Sequence, residues 1–451
     1  MERINRRGAK MINLFEHFNP STKALYNTLL KAGYTHDTVV IEEDGFLPEG
    51  IITPYQFFSN VKVYQNDKGI HFNEIETPDF WEIEGTNTSG TIKDMGELRA
   101  NIRFRANFKN RIVSHVEWLD KSKQIRFIDY YHQAGFKFAT KVFDLRGVPI
   151  LQTYYDRQGN EVIYENFVTK NIIVSYKAKE YSFVSKVEFV QFFLREAFSQ
   201  LDGFIINSLS YPFIIVYQMG IKGKDILFWQ ENIGDDIPGN MKVMFEYDMR
   251  EFTVAIPDAL EFNRVQNVVG HDVKHRIIQS GYLYRYFKKA QFGNQVITLT
   301  NSDQVEGIEL IVQKLPYYEF HIAAVTEMSS KLMDLNKYNN VVLYPNIKRE
   351  RVIDLYKKSN IYLDINHGDE ILESVKGAFD YQTLILGFNE VAHNKECTAP
   401  ENLYEIKQID SLIDLLNNFE KNNNLYYERL NLQKQHANEV SGQQFHKAFK
   451  K

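Results

Sequence analysis

Two histidines, His271 and His275, stand four residues apart in EFNRVQNVVGHDVKHRII. On a helix that spacing puts both imidazoles on one face, as in a zinc-binding helix. Asp272 beside them is shorter than the glutamate such a site uses as its base, and no third ligand lies nearby in sequence. The expectation is therefore a surface helix with two histidines and no metal. Asp235-Asp236 could hold a cation, but before Ile237-Pro238-Gly239 they read as a turn. Cys397 is the single cysteine, so an intrachain disulfide is impossible, and the bias is toward a reducing compartment. No catalytic cysteine signature surrounds it. No Gly-rich phosphate loop of the Walker or dinucleotide type occurs, and no cofactor is expected.

A second group of residues shares a position rather than a spacing. WQEN (Trp229, Glu231), TNSD (Asn301, Ser302), VTEM (Thr326, Glu327), YPN (Asn346) and NHGDE (His367, Gly368) each follow a predicted strand. Glu373 comes a few residues after the last. Doubly wound folds bind ligands at the carboxyl ends of their strands. Amides, hydroxyls, an imidazole and an indole suit a Ser/Thr-rich peptide or a GlcNAc unit, with hydrogen bonds and an apolar stacking face. Ordinary strand-end loops have a similar composition.

The elements that must position these residues fall into three stretches. NPSTKALYNTLLKAGY predicts a helix, capped by Asn19 or Ser21 and stopped by Gly33, and TVVIEED a strand. From about Gln56 to Val187 the helical period vanishes. Short aromatic strands alternate with Gly/Asn/Asp turns, the pattern of an antiparallel meander. Within it, NIRFRANFKNRI reads as one strand, with Arg103, Arg105, Lys109 and Arg111 as a basic stripe. Such a stripe is a solvated face or a docking surface for an acidic partner or anionic lipid. After Val187, VEFVQFFLREAFSQLD predicts a helix, and FIINSL, DILFWQEN, KVMFEYD and FTVAIPD predict strands. From Gln295 a regular β-α series runs through VITLTNSD, EFHIAAVTE, NVVLYPNI, IYLDINH and TLILGF. The fold class is α/β: a GT-B-like pair of Rossmann-type domains with a β-meander inserted in the first. The expected boundaries are 1–55 with 188–292, 56–187, and 293–451, the last helix packing back on the first domain.

Composition bounds the function. The chain has 451 residues and 44% hydrophobic residues, enough for more than one core. A formal charge of -5 gives no general electrostatic case for nucleic acid. The start, MERINRRGAKMINLF, is basic but lacks a signal-peptide apolar run, and Met11 could serve as an alternative start. The most apolar window, Phe204 to Ile221, is interrupted by Asn207, Ser208, Ser210, Pro212 and Gln218, so it reads as buried strand and loop.

SNIYLDINHGDEILESVKGAFDYQTLILGF resembles the strand-loop-helix of retaining GT-B glycosyltransferases that carries two glutamates eight apart. The second falls on Glu373 and the first on Ile365, which cannot accept the hydrogen bonds of a donor sugar. Active relatives also place an Arg, and five residues on a Lys, after the first strand of this domain. Here those places hold Asn301 and Glu306. A diphosphate would meet an amide and an anion. More closely, LFEHFNPSTKALYNTLLKAGY, DGFLPEGIITPYQFF, DILFWQENIGDDIPGNM, TNSDQVEGIE, HIAAVTEMSSKLMDL and IYLDINHGDEIL resemble the stabilising, non-catalytic subunits of the O-GlcNAc transferase that modifies serine-rich-repeat adhesins of Gram-positive bacteria. Those subunits belong to the accessory Sec export system. The resemblance implies a catalytic glycosyltransferase partner in a heteromer, a heterotetramer among the assemblies allowed. It also implies a serine-rich-repeat adhesin as client, glycosylated in the cytoplasm before export, and peripheral attachment to the cytoplasmic face of the membrane. The rival readings are an active retaining transferase using UDP-GlcNAc and a pure scaffold that never touches the client.

Overall fold

The computed structural model describes residues 11–86, 88–106 and 111–449. The chain forms two compact units. The first takes Met1–Tyr26 and Tyr34–Gln279, and the second Asn27–Gly33 and Ser280–Lys451.

The first unit begins with β1 (Ile12–Phe15), β2 (Asp37–Val40) and β3 (Ile51–Ile52). The expected helix between β1 and β2 runs Pro20–Lys31. Asn19 accepts from the Thr22 amide at 2.9 Å, and Gly33 at φ +83° ends the turn that follows. Ten strands then form one antiparallel meander: β4 (Glu82–Gly85), β5 (Ser89–Asp94), β6 (Glu97–Phe104), β7 (Val113–Leu119), β8 (Ile125–Tyr131), β9 (Lys137–Phe143), β10 (Pro149–Tyr155), β11 (Glu161–Asn166), β12 (Ile172–Tyr176) and β13 (Lys179–Phe183). Its strands begin well after Gln56, because Thr53 caps a short helix, Pro54–Phe58, and loops follow it.

The chain returns to the first sheet through β14 (Gly203–Ile206), β15 (Gly223–Phe228), β16 (Arg250–Ile256) and β17 (Ile277–Gln279). All seven strands are parallel, in the order β17-β16-β15-β14-β1-β2-β3. Between β15 and β16, Arg250 makes two bonds to Asp225, at 2.5 and 2.7 Å, with both side chains fully buried. KVMFEYD is not a strand: Gly239–Glu246 is a helix that buries Met241 and Met244, three apart on one face.

One hydrophobic core joins sheet and meander within this unit. Leu14, Val39, Phe189 and Phe204 share it with Phe138, Ala139, Tyr154, Ile163, Ile172 and Val174 of β9 to β12. Polar contacts reinforce the seam. Lys186 bridges Glu42 at 2.5 Å and Glu165 of β11 at 3.1 Å. Gly45 sits at φ +77°, where an added Cβ would lie 2.7 Å from both Phe138 and the Tyr131 carbonyl, so only glycine fits. The other half of the meander has its own small core around Ile92, Ile102, Val113 and Val116.

The second unit holds β18 (Gln295–Thr300), β19 (Glu319–Ala324), β20 (Val341–Tyr344), β21 (Ile361–Asp364), β22 (Leu384–Phe388) and β23 (Leu403–Tyr404). They form a parallel sheet in the order β20-β19-β18-β21-β22-β23. The chain steps outward from β18 to β20, then returns to the other side of β18. The loops after β18 and β21 therefore meet at a topological switch point, the usual crevice of a doubly wound sheet.

Candidate functional site

The loops at that switch point are stitched to each other. Val305 and Asn366 form an antiparallel bridge. The Glu306 amide donates to the Ile365 carbonyl at 2.8 Å, and the His367 amide to Gln304 at 3.0 Å. Asn366, almost fully buried, is the hub. Its Oδ1 accepts from Thr300 at 2.7 Å, and its Nδ2 donates to Asn301 Oδ1 at 3.2 Å and to the Gly368 carbonyl at 3.1 Å. The Asn301 amide is so close to Gly368 that a Cβ there would lie 1.9 Å from its oxygen. Above them the His367 ring meets the Glu306 carboxylate at 2.6 Å.

Asp364 closes the loop from below. It is 1% exposed at the end of β21 and accepts from the His393 amide at 2.7 Å and from His393 Nδ1 at 2.6 Å. The other ring nitrogen reaches the Gly368 carbonyl at 2.7 Å. With acceptors on both sides the imidazole carries both protons. The hydrogen bond to Asp364 is the largest influence raising its pKa, to about 9. Ile365, next along, points the opposite way and is fully buried in the main core of this unit. The place that the resemblance gives to a sugar-binding carboxylate is therefore a core position. Glu373 is exposed at φ +52° and precedes the helix Ser374–Asp380, whose first turn is capped instead by Glu370 accepting from the Val375 amide at 2.9 Å.

The sequence-predicted residues divide by unit. In the second, Asn301, Ser302, His367 and Gly368 come together at the switch point. Thr326, Glu327 and Asn346 lie exposed on the next loops outward, joined where the Asn346 amide donates to the Thr326 carbonyl at 2.9 Å. In the first unit Trp229 follows β15, one strand away from that sheet's switch point between β1 and β14. Trp229 is no stacking platform: its ring is 3% exposed and belongs to the core, since the strand's inward alternation carries past Phe228. Glu231 is exposed. Sequence reasoning missed Asn366 and His393, because neither periodicity nor spacing links a histidine to an aspartate 29 residues earlier.

Two other expectations change. His271 and His275 do not share a helix: Ala259–Val268 ends before Gly270, and His275 sits in a separate short turn. Of the expected strand Asn101–Ile112, only Asn101–Phe104 belongs to β6: Phe104 pairs with Val113 of β7, the Arg105 amide bonds to Ile112, and residues 107–110 fall outside the described residues. Its arginines do not form a row. Arg103 pairs with Glu117 at 2.9 Å, Arg105 pairs with Asp44 at 2.8 Å and lies over Phe46, and Arg111 lies over Phe72. Lys109 falls outside the described residues.

Comparison with known proteins follows this geometry. Family models match in chain order: GtfB N-terminal domain over residues 12–58, GtfB middle domain over 81–184, GtfB third domain over 186–268, and GftB/GlyA-F C-terminal domain over 296–433. The UDP-N-acetylglucosamine–peptide N-acetylglucosaminyltransferase stabilizing protein GtfB of Streptococcus gordonii is 37% identical over 433 residues, 95% of this chain and 96% of the relative. The chain belongs to the GtfB family. The GtfB middle domain coincides with the ten-stranded meander, and the C-terminal match with the six-stranded sheet and its helices. Among solved structures, a chain of the GtfA/B complex bound to UDP and GlcNAc superposes with a TM-score of 0.91 at 36% identity, covering 98% of this chain and 99% of that one. The pneumococcal O-GlcNAc transferase GtfA in complex with UDP and GlcNAc shares the fold, with a TM-score of 0.51 at 13% identity over 98% of each chain. The fold is thus the GT-B-like pair with an inserted meander, and the function class is that of GtfB, a stabilizing protein of a peptide GlcNAc transferase.

Proposed function

We propose that the chain is a non-catalytic subunit that stabilises a catalytic O-GlcNAc transferase of the GtfA kind and holds its Ser/Thr-rich client. The client class is a serine-rich-repeat adhesin, glycosylated before export. The observation that carries this reading is the self-closed switch point of the second unit, with Glu306 held there by His367. A diphosphate arriving about 4 Å from that carboxylate would be opposed by roughly 4 kcal/mol per phosphate charge at an effective dielectric near 20. A neutral peptide or sugar meets no such penalty. The exposed Thr326 and Asn346, with Glu327 beside them, offer hydroxyl, amide and carboxylate groups to serine side chains.

The test is reconstituted transfer. The catalytic partner, a serine-rich peptide and UDP-GlcNAc are combined with increasing amounts of this chain. Transfer is expected to rise and saturate near equimolar chain, and the chain without its partner transfers nothing. Transfer indifferent to the chain would remove the stabilising role.

A further inference from the structure

The loop that follows β2 is wedged between the parallel sheet and the meander. The meander holds its backbone: the Gln133 amide donates to the Gly45 carbonyl at 2.8 Å, and Gly45 packs against Phe138 and Tyr131. Its three acids are treated differently. Glu42 pairs with Lys186, and Asp44 with Arg105 at 2.8 Å. Glu43, between them, is half-buried and has no ion pair among the described residues. Its carboxylate turns inward onto neutral donors. One oxygen accepts from the Gly45 amide at 2.8 Å and the other from the Thr53 hydroxyl at 2.7 Å.

Thr53 carries the contact onward. The same hydroxyl accepts from the Gln56 amide at 3.0 Å and so caps the helix Pro54–Phe58. Tyr55 of that helix stacks on Tyr154 of β10, with ring centres 4.0 Å apart, and donates to Glu165 of β11 at 3.2 Å. The loop therefore grips the meander twice, at the β8–β9 turn through Gly45 and at β10 and β11 through Thr53. A cavity lined by Glu43, His132 and the rings of Tyr55, Tyr154 and Tyr155 adjoins this grip, with about 10 Å³ open to a water's centre, the room of a single water. His132 is 2% exposed, and its Nδ1 accepts from the Ala134 amide at 3.1 Å. The ring proton is thus on Nε2, which is buried without a partner. Cations nearby are engaged elsewhere: Lys186 is held by Glu42 and Glu165, and Lys141 faces the same two acids.

We infer that Glu43 is a protonation-dependent latch between the sheet and the meander of the first unit. Neutral, it sits closed on Gly45 and Thr53 with no charge to solvate. Ionised, it carries an uncompensated charge beside Asp44 and three tyrosine rings, and relief comes when water enters the cavity and the loop lets go. Burial is the largest influence on this carboxyl and pushes its pKa up to about 7, from an ordinary 4.5. The closed seam is therefore most stable below pH 4.5 and loses that contribution as pH rises through 7. His132, pushed down to about 4 by burial, acts in the opposite sense below pH 6.5. Glu43→Gln separates the two, because the amide keeps an acceptor for Gly45 and the shape of a neutral carboxyl.

The experiment is amide deuterium exchange of the purified full chain, wild type and Glu43→Gln, at pH 6 and pH 8. Comparison at the same pH cancels the intrinsic pH dependence of exchange. In segments 42–58 and 131–155 the ratio of wild-type to variant opening should rise about tenfold from pH 6 to pH 8. β14 to β16 of the same unit should show no such rise. If Glu43→Gln fails to fold, the wild type decides: corrected for intrinsic rate, the two segments should open more at pH 8 than at pH 6 while β14 to β16 do not change. A ratio that stays constant with pH overturns the inference. So does a rise shared equally by β14 to β16, which would place the titrating group outside the seam.

Discussion

A chain lacking residues 81–184 will not fold its first unit. Sequence reading treats the meander as an insert that could be removed from an intact α/β layer, but the structure gives the two a common core. Phe138, Ala139, Tyr154, Ile163, Ile172 and Val174 pack in one cluster with Leu14, Val39, Phe189 and Phe204. Burying a large apolar side chain stabilises by about 1.5–3 kcal/mol. The five larger ones together contribute roughly 8–15 kcal/mol, comparable to the whole stability of a domain, about 5–15 kcal/mol. Deletion also strands Lys186 and Glu42 without Glu165. Of the three tryptophans the deletion leaves only Trp229, which lies in this core. Its emission should therefore shift to the wavelength of a solvated indole. Blue emission with a cooperative melt would refute the shared core. Interface mapping on the meander is better done with point variants.

His393→Ala should destabilise the second unit by about 3–5 kcal/mol, the cost of leaving a buried charge without its partner. Asp364 would keep its carboxylate 1% exposed and lose the charged ring donor at Nδ1, retaining only the backbone amide of residue 393. The wild type should also show a pH dependence that the variant lacks. The folded pKa of His393, about 9, lies above its ordinary value of 6.5. Its contribution is fully present below about pH 6.5 and is lost as pH rises through 9. Denaturant melts of wild type and variant at pH 6 and pH 9 test both statements. A small, pH-independent difference would mean that the histidine does not brace the loop.

Much of the fold is legible because it rests on local pattern. The helix from Pro20, the antiparallel meander of short strands and the β-α series after Gln295 all follow from periodicity and turn residues. The failures have specific causes. KVMFEYD reads as a strand, yet most of it lies in the helix Gly239–Glu246, which buries Met241 and Met244 on one face. NIRFRANFKNRI reads as continuous although β6 ends at Phe104, which already pairs with Val113 of β7. The strand-end position of Trp229 suggests a binding role, but its side chain packs into the core. At the switch point Asn301, Ser302, His367 and Gly368 are legible from their places at strand ends, whereas the loss of a donor site shows as departures from a familiar pattern. Asn301, Glu306 and Ile365 mark what is missing. What replaces it is the Asn366 hub and the Asp364–His393 pair, which are tertiary contacts that no spacing reveals.

The most direct test of the account is calorimetric titration of the purified chain, free of its partner, with UDP and with UDP-GlcNAc, followed by assay for released UDP. The closed loops, with Glu306 in place of a cation, predict no saturable heat at millimolar nucleotide and no turnover. Stoichiometric binding in the micromolar range, or steady release of UDP, would contradict it and return the chain to the active transferases.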